Sequence, residues 1–270
     1  MSLLLKTVQA SQGTRWIGDA FRLFARRPLA FTGMSLAFFF AAMLARGLPL
    51  LGALLPLMAM PLLSLGFMVA SQSALLDGPV HPRQFIEPLR TDAVRRRALL
   101  LLCLSYAVAM VVLLLLADAV SDHAWARMQA LGAKGPPDAV ELEALMPDLA
   151  RGGLLLGLLG SLLSVAYWHA PALVHWGGQG VKQALFSSTL AVWRAKGAFA
   201  LYMLAWFGVL MFLALLLSAL LNALSLQDSA SLASLPLMTV LSAVFYISVL
   251  FTFNDSFGGT LTLPPVQPPG

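Results

Sequence analysis

The sequence predicts an all-α fold: a polytopic membrane bundle of six transmembrane helices with interfacial amphipathic helices on the cytoplasmic side. Three observations carry this. The 270 residues are 59% hydrophobic, above the roughly 45–50% of a soluble domain even when glycine is counted there. Charged residues make up 11%, against about 25% in a soluble domain, too few to cover a water-exposed surface. Mean hydropathy is +0.83, and the apolar residues fall in runs long enough to cross about 30 Å of hydrocarbon. A soluble enzyme, a secreted module and a disordered regulator are thereby disfavoured.

Six runs qualify, at 29–45, 48–70, 98–117, 152–172, 198–221 and 232–253. The first reads LAFTGMSLAFFFAAMLA and stops at Arg46. The second begins near Pro49 and contains Pro56 and Pro61, with Gly52 and Gly66, which predicts a kinked or interrupted helix whose freed carbonyls need other partners. The third, ALLLLCLSYAVAMVVLLLLA, is unbroken. The fourth carries Gly153, Gly157, Gly160, Ser161 and Ser164, a small-residue stripe suited to packing within the chain or to a homodimer seam. Pro236 interrupts the sixth more mildly.

Charge sets the orientation. Lys6, Arg15, Arg22, Arg26 and Arg27 precede the first span; Arg83, Arg90, Arg95, Arg96 and Arg97 lie between the second and third; Lys182, Arg194 and Lys196 lie between the fourth and fifth. Arg46, Arg127, Lys134 and Arg151 fall on the other side. The positive-inside rule places the larger set, and both termini, in the cytoplasm. No cleavable signal is expected, because Met1 to Leu5 is too short for an h-region before Lys6.

Between the spans, Trp16, Ile17, Ala20, Phe21 and Phe24 recur at helical spacing, with Arg15, Asp19, Arg22 and Arg26 largely opposite: an interfacial helix ended by Pro28. Phe85, Ile86, Leu89 and Ala93 repeat the pattern before the third span, and Val181, Ala184, Leu185, Ser188 and Val192 before the fifth. This divides a single membrane domain, 1–257, into three candidate units of one amphipathic helix and two spans, 12–72, 81–176 and 179–256. Gln12-Gly13 matches Gln179-Gly180, and Pro28, Ala30 and Phe31 align with Lys196, Ala198 and Phe199. An outer loop, 118–151, holds a break at Gly135 to Pro137 and a short helix over 138–149. A proline-rich tail, 258–270, reads as extended and cytoplasmic.

Ionisable residues in the middle of a span mark ion or substrate paths, and these spans have none near their centres. The distinctive cluster is YWHAPALVHW, at the end of the fourth span. Trp168, His169, His175 and Trp176, with Asn254 and Asp255 from the end of the sixth, form a candidate ligand or headgroup site. An aromatic belt with a hydrogen-bonded polar anchor is the alternative reading. Asp255 is a candidate partner for a basic residue of the interfacial helices. Arg22, Arg26, Arg27, Arg95, Arg96 and Arg97 are candidate contacts to anionic lipid headgroups. No metal, cofactor or catalytic set is expected. Cys103 is the single cysteine, Ser187 and Ser188 lack a base in sequence, and GGQG lacks the lysine of a phosphate loop. The partners expected are membrane lipids, a membrane protein or a second copy of the chain, and not nucleic acid.

The stretches FRLFARRPLAF, PLLSLGFMVA, FIEPLRTDAVRRRALLL, YWHAPALVHWGGQG and ALFSSTLAVWRAKG resemble an uncharacterised family of bacterial inner-membrane proteins frequent among beta-proteobacteria. The resemblance covers most of the chain apart from the outer loop and the tail. It implies an inner-membrane location and brings no residue roles. The activity expected is accessory or scaffolding, non-enzymatic, in envelope or lipid homeostasis. The alternative is a transporter or a translocator of lipid or small solutes that uses the broken second helix and the His169/His175 region.

Overall fold

The structure, a computed structural model, describes residues 4–48, 51–133, 138–226 and 230–258. Pro49, the break at Gly135 to Pro137 and the proline-rich tail after Gly258 lie outside them. The described residues form helices and turns, with no strand. In order the helices are α1 (Gln12–Arg26), α2 (Pro28–Arg46), α3 (Leu54–Leu75), α4 (Ala93–Val120), α5 (Ala124–Gly132), α6 (Ala139–Tyr167), α7 (Ala170–His175), α8 (Val181–Arg194), α9 (Lys196–Ala223) and α10 (Ala230–Phe257). Two 3-10 turns, Pro82–Phe85 and Glu87–Arg90, precede α4. Six stretches among the described residues are long and apolar enough to span a membrane: α2, α3, α4, α6 with α7, α9, and α10 from Leu232.

Each boundary has a local cause. Arg27 leaves the helical region (φ −144°, ψ 57°) because the residue before a proline is pushed out of it, and Pro28 then opens α2, where a missing N–H costs nothing. α3 runs without interruption from Leu54 to Leu75, contrary to the break that its prolines raised as one possibility. Pro56 falls in its first turn, so only Pro61 sits in the interior. α3 ends with Asp77 in the left-handed region (φ 57°), the Gly78 N–H on the Ser73 carbonyl at 2.8 Å and the Asp77 N–H on the Ala74 carbonyl at 3.2 Å. Asp92 caps α4 by accepting the Arg95 N–H at 3.0 Å. That bond, more than the nearby guanidinium, lowers the Asp92 pKa from its ordinary 3.8.

Two other expectations are corrected. The predicted amphipathic helix before α4 is replaced by the two 3-10 turns, since Pro82 and Pro88 each remove a helical donor. This segment folds back along α3, and Phe85 packs on Gly66, about 13 Å inside the end of that helix. The outer loop is mostly helical. α4 continues to Val120, α5 follows, and the short helix expected over 138–149 is the first half of α6, capped by a reciprocal Asp138–Glu141 box. α6 is 29 residues long, about 43 Å. It therefore projects beyond the hydrocarbon and keeps its charges there.

α10 and α3 form the centre, with 50% and 44% of their apolar windows buried, against 11% for α9 and 6% for α6 with α7. The buried residues gather at the end where α1, α7 and α8 lie, here called the collar. They include Trp16, Phe31, Phe67, Leu99, Leu102, Leu173, Tyr202, Ile247 and Phe253. Toward the opposite end, α4 and α9 turn apolar side chains outward, among them Leu115, Leu116, Phe212 and Leu215. The glycine stripe of α6 also faces outward, since a Cβ on Gly153, Gly157 or Gly160 would meet nothing within 4 Å. It is Gly152 that packs, with Ser121 Cβ and the Ala117 carbonyl 2.8 and 2.9 Å from where its own Cβ would stand.

α1 forms as the amphipathic helix expected, and its apolar face meets protein: Gly13, Trp16, Ile17, Ala20 and Leu23 are buried against α9 and α10. A Cβ on Gly13 would lie 2.8 Å from the Tyr202 amide nitrogen and against the Ala198 carbonyl, so only glycine permits this approach.

Candidate functional site

The collar end is closed by a cluster of polar and aromatic side chains drawn from α1 and from α6 through α10. α6 stops at Tyr167, and α7 restarts at Ala170 with Pro171 in its first turn. Trp168 and His169 occupy the break and turn in toward α10. His169 is fully buried, and its backbone N–H donates to Ser188 Oγ at 3.0 Å. Ser188 Oγ in turn donates to the Val165 carbonyl at 3.0 Å, which would have no helical partner at the end of α6. The break is thus closed by a serine from α8.

Thr252 of α10 is the hub. Its hydroxyl donates to the Val249 carbonyl at 2.8 Å, so its lone pairs are left for incoming donors. The Trp168 indole N–H donates to it at 3.1 Å, and His169 Nε2 lies at 3.0 Å. With the threonine proton already committed, Nε2 carries the imidazole hydrogen. Nδ1 is then the bare acceptor, and it has no partner among the described residues. The imidazole is ringed by Phe199, Phe253 and Phe257, with centroids at 6.0, 5.8 and 5.4 Å. Trp168 meets Phe199, Tyr202 and Phe245 edge-on. One turn further along α10, Ser248 shares a 2.6 Å hydrogen bond with the Tyr202 hydroxyl.

The remaining predicted residues are distributed around this cluster. His175 is separate from His169. Its carbonyl accepts Arg95 Nη1 at 3.2 Å, its ring lies beside Trp176, and Trp176 packs on Phe253 at 5.4 Å. Asp255 accepts the Trp16 indole N–H at 2.8 Å, in place of the basic partner expected. The Asn254 carbonyl accepts the Gly258 N–H at 2.9 Å. Sequence reasoning missed Thr252, Ser188, Ser248 and Tyr202. The signal was available in part: Ser248, Thr252 and Asp255 recur at helical spacing on one face of an otherwise apolar span.

The arginines divide by use. Arg22 pairs with Asp19 at 2.5 Å. Arg27 donates to the carbonyls of Gly78 and Asp77, tying α2 to the end of α3. Arg95 pairs with Asp92 at 3.2 Å and holds the His175 carbonyl. Arg26, Arg96 and Arg97 are exposed and make no ion pair or hydrogen bond with a described residue.

Chemically, most of the cluster's polar groups are engaged within it, with His169 Nδ1 the exception. The Ser188 hydroxyl is bonded to backbone atoms on both sides. Among the described residues, no group of three or more His, Cys, Asp or Glu is placed to hold a metal ion. On its membrane side lies a cleft of about 150 Å³ lined by Pro61, Ser64, Tyr106, Tyr167, Trp168 and Tyr246.

Along nearly its whole length the chain is similar to a Burkholderia thailandensis protein named "Probable inner membrane protein": 32% identical over 267 residues, which is 97% of this chain and 94% of that one. No family model matches the chain, and no solved structure matches it.

Proposed function

The chain belongs to the same family of polytopic bacterial inner-membrane proteins as that Burkholderia thailandensis protein, and from this premise we propose that it is a non-enzymatic accessory or scaffold protein of envelope or lipid homeostasis. In this reading the collar lies at the cytoplasmic headgroup plane and both termini are cytoplasmic. The observation that carries it is the division of labour at the collar. Trp168, His169, Ser188, Thr252, Trp16 and Asp255 are committed to one another or to backbone. Arg26, Arg96 and Arg97 are left turned outward. A bundle end closed in this way offers a rigid basic platform, to which anionic lipids are attracted at about 1 kcal/mol per cation.

Two measurements test it. A cysteine at Gly18, exposed with nothing within 4 Å of its Cβ position, in a Cys103→Ala background, should resist a membrane-impermeant maleimide in intact spheroplasts and react after lysis. Labelling before lysis would overturn the orientation. Vesicles of phosphatidylcholine with and without phosphatidylglycerol should show enrichment of the anionic lipid around the protein, reduced when Arg26, Arg96 and Arg97 are changed to glutamine. Unchanged enrichment would remove the platform reading.

The second reading, a translocator, draws on the cleft beside Trp168; the continuity of α3 through Pro56 and Pro61 tells against it. Proteoliposomes carrying a fluorescent phospholipid in both leaflets separate the two. Dithionite quenching limited to the outer leaflet supports the platform, and loss of the protected half supports translocation.

A further inference from the structure

Between the first turns of α4 and α8 the collar side opens into a groove of about 700 Å³. Val94, Ala98 and Leu101 line it from one face of α4, and Val181 lines it from α8. Arg97 of α4 and Lys182 of α8 both line it. Val94 is 79% exposed and Leu101 48%, so the apolar wall is not covered by protein. Arg97 and Lys182 are exposed and have no ion pair or hydrogen bond among the described residues. Asp92, in the turn before α4, is already committed to the N–H and guanidinium of Arg95. Gly180 caps α8 without a side chain, which leaves its first-turn N–H groups in need of an outside acceptor.

We infer that this groove is the seat of one anionic phospholipid. The inference rests on the platform reading and gives it a specific place and occupant. The polarity of the groove matches an amphiphile end to end. Two cations line the groove, and the wall then runs down α4 to Leu101, inside the most hydrophobic of the six candidate spans among the described residues. A phosphodiester between Arg97 and Lys182 places its glycerol against Val94 and Ala98 and an acyl chain along Leu101, where apolar surface is covered by hydrocarbon. Charge selects the class. A zwitterionic headgroup would bring an ammonium toward two cations, whereas phosphatidylglycerol brings none. The same groups also explain why Arg97 is unpaired while its neighbour Arg95 is tied down: the Arg97 partner lies outside the chain.

The test uses the full chain in vesicles of equal dioleoylphosphatidylglycerol and dioleoylphosphatidylcholine, released directly into native mass spectrometry. The wild type should retain one phosphatidylglycerol in preference to phosphatidylcholine. R97Q/K182Q should lose that preference by about five-fold per charge, about 25-fold in all. R83Q/R90Q, which removes two exposed cations of the segment before α4, should keep it. Leu101→Trp, which fills the apolar floor, should displace lipid of either headgroup. Retention of the preference in R97Q/K182Q overturns the groove assignment, and so does its loss in R83Q/R90Q alone. Absence of any preference in the wild type overturns the platform reading with it.

Discussion

The contact between Trp16 and Asp255 should hold the N-terminal helix in place, and its strength can be worked from its parts. Trp16 is 1% exposed, contacts Phe199 and Tyr202 at 5.3 and 5.8 Å, and donates to a half-buried carboxylate. Trp16→Ala leaves a ring-sized cavity, costing about 3–5 kcal/mol, and an unmatched carboxylate. Trp16→Phe keeps most of the packing and removes the charge-assisted bond, costing about 2 kcal/mol. Asp255→Asn keeps a neutral acceptor and should cost about 1 kcal/mol. In the double variant the bond is already gone, so the losses should fall short of their sum by at least about 0.5 kcal/mol, beyond what independent sites show. Thermal unfolding in bicelles gives the global effect. Limited trypsin cleavage at Arg15 and Arg22 reports local release of α1, and should accelerate first in Trp16→Ala. Strict additivity of Trp16→Phe and Asp255→Asn, with unchanged cleavage, would refute the reasoning.

Other outcomes follow from the same packing. Gly66→Ala should destabilise by about 1–3 kcal/mol, because the new methyl meets Phe85, whose Cα lies 3.0 Å from that position. Phe85→Ala in the same chain should recover part of the loss in the same unfolding assay. His169→Ala should cost about 3 kcal/mol, whereas Asn254→Ala should be nearly silent, a contrast that thermal melts read directly. Asp92 has a pKa lowered by the Arg95 N–H, so its cap contributes fully above the ordinary carboxylate value and is lost as pH falls through the depressed one. Asp92→Asn should therefore flatten the acid side of the stability profile while leaving neutral pH almost unchanged.

The six spans were legible because about 20 apolar residues have one stable arrangement in a membrane. The collar was legible only in part. Periodicity at Trp16, Ile17 and Ala20 specifies an apolar face without saying whether lipid or protein covers it. The glycine that decides the matter, Gly13, carries no hydrophobic signal. The outer loop was legible in part. A short helix over 138–149 is read from the sequence, but its charges hide its continuity with the fourth span; a helix that outruns the bilayer carries such charges in water, where Arg127 and Arg151 both engage Asp148. Of the candidate site, the sequence drew attention to Trp168 and His169, whose side chains both meet Thr252. It did not reveal that their partner is Thr252, because a threonine in a span bonds its own helix as readily as another.

The closure of α1 onto α10 also sets a schedule for biosynthesis. Trp16 and Asp255 are 239 residues apart. At about 5–20 residues per second, the first helix is made roughly 10–50 s before its seat is complete. Until α9 and then α10 emerge, Trp16, Ile17 and Leu23 lack the helices that bury them in the finished fold, and the lipid surface beside the translocon is the natural holding place for such a helix. Assembly of the finished molecule thus begins and ends at the same point. A ribosome that stops before α10 leaves an inserted chain with an unsatisfied amphipathic helix at its start, a ready mark by which membrane quality control can tell an unfinished copy from a complete one.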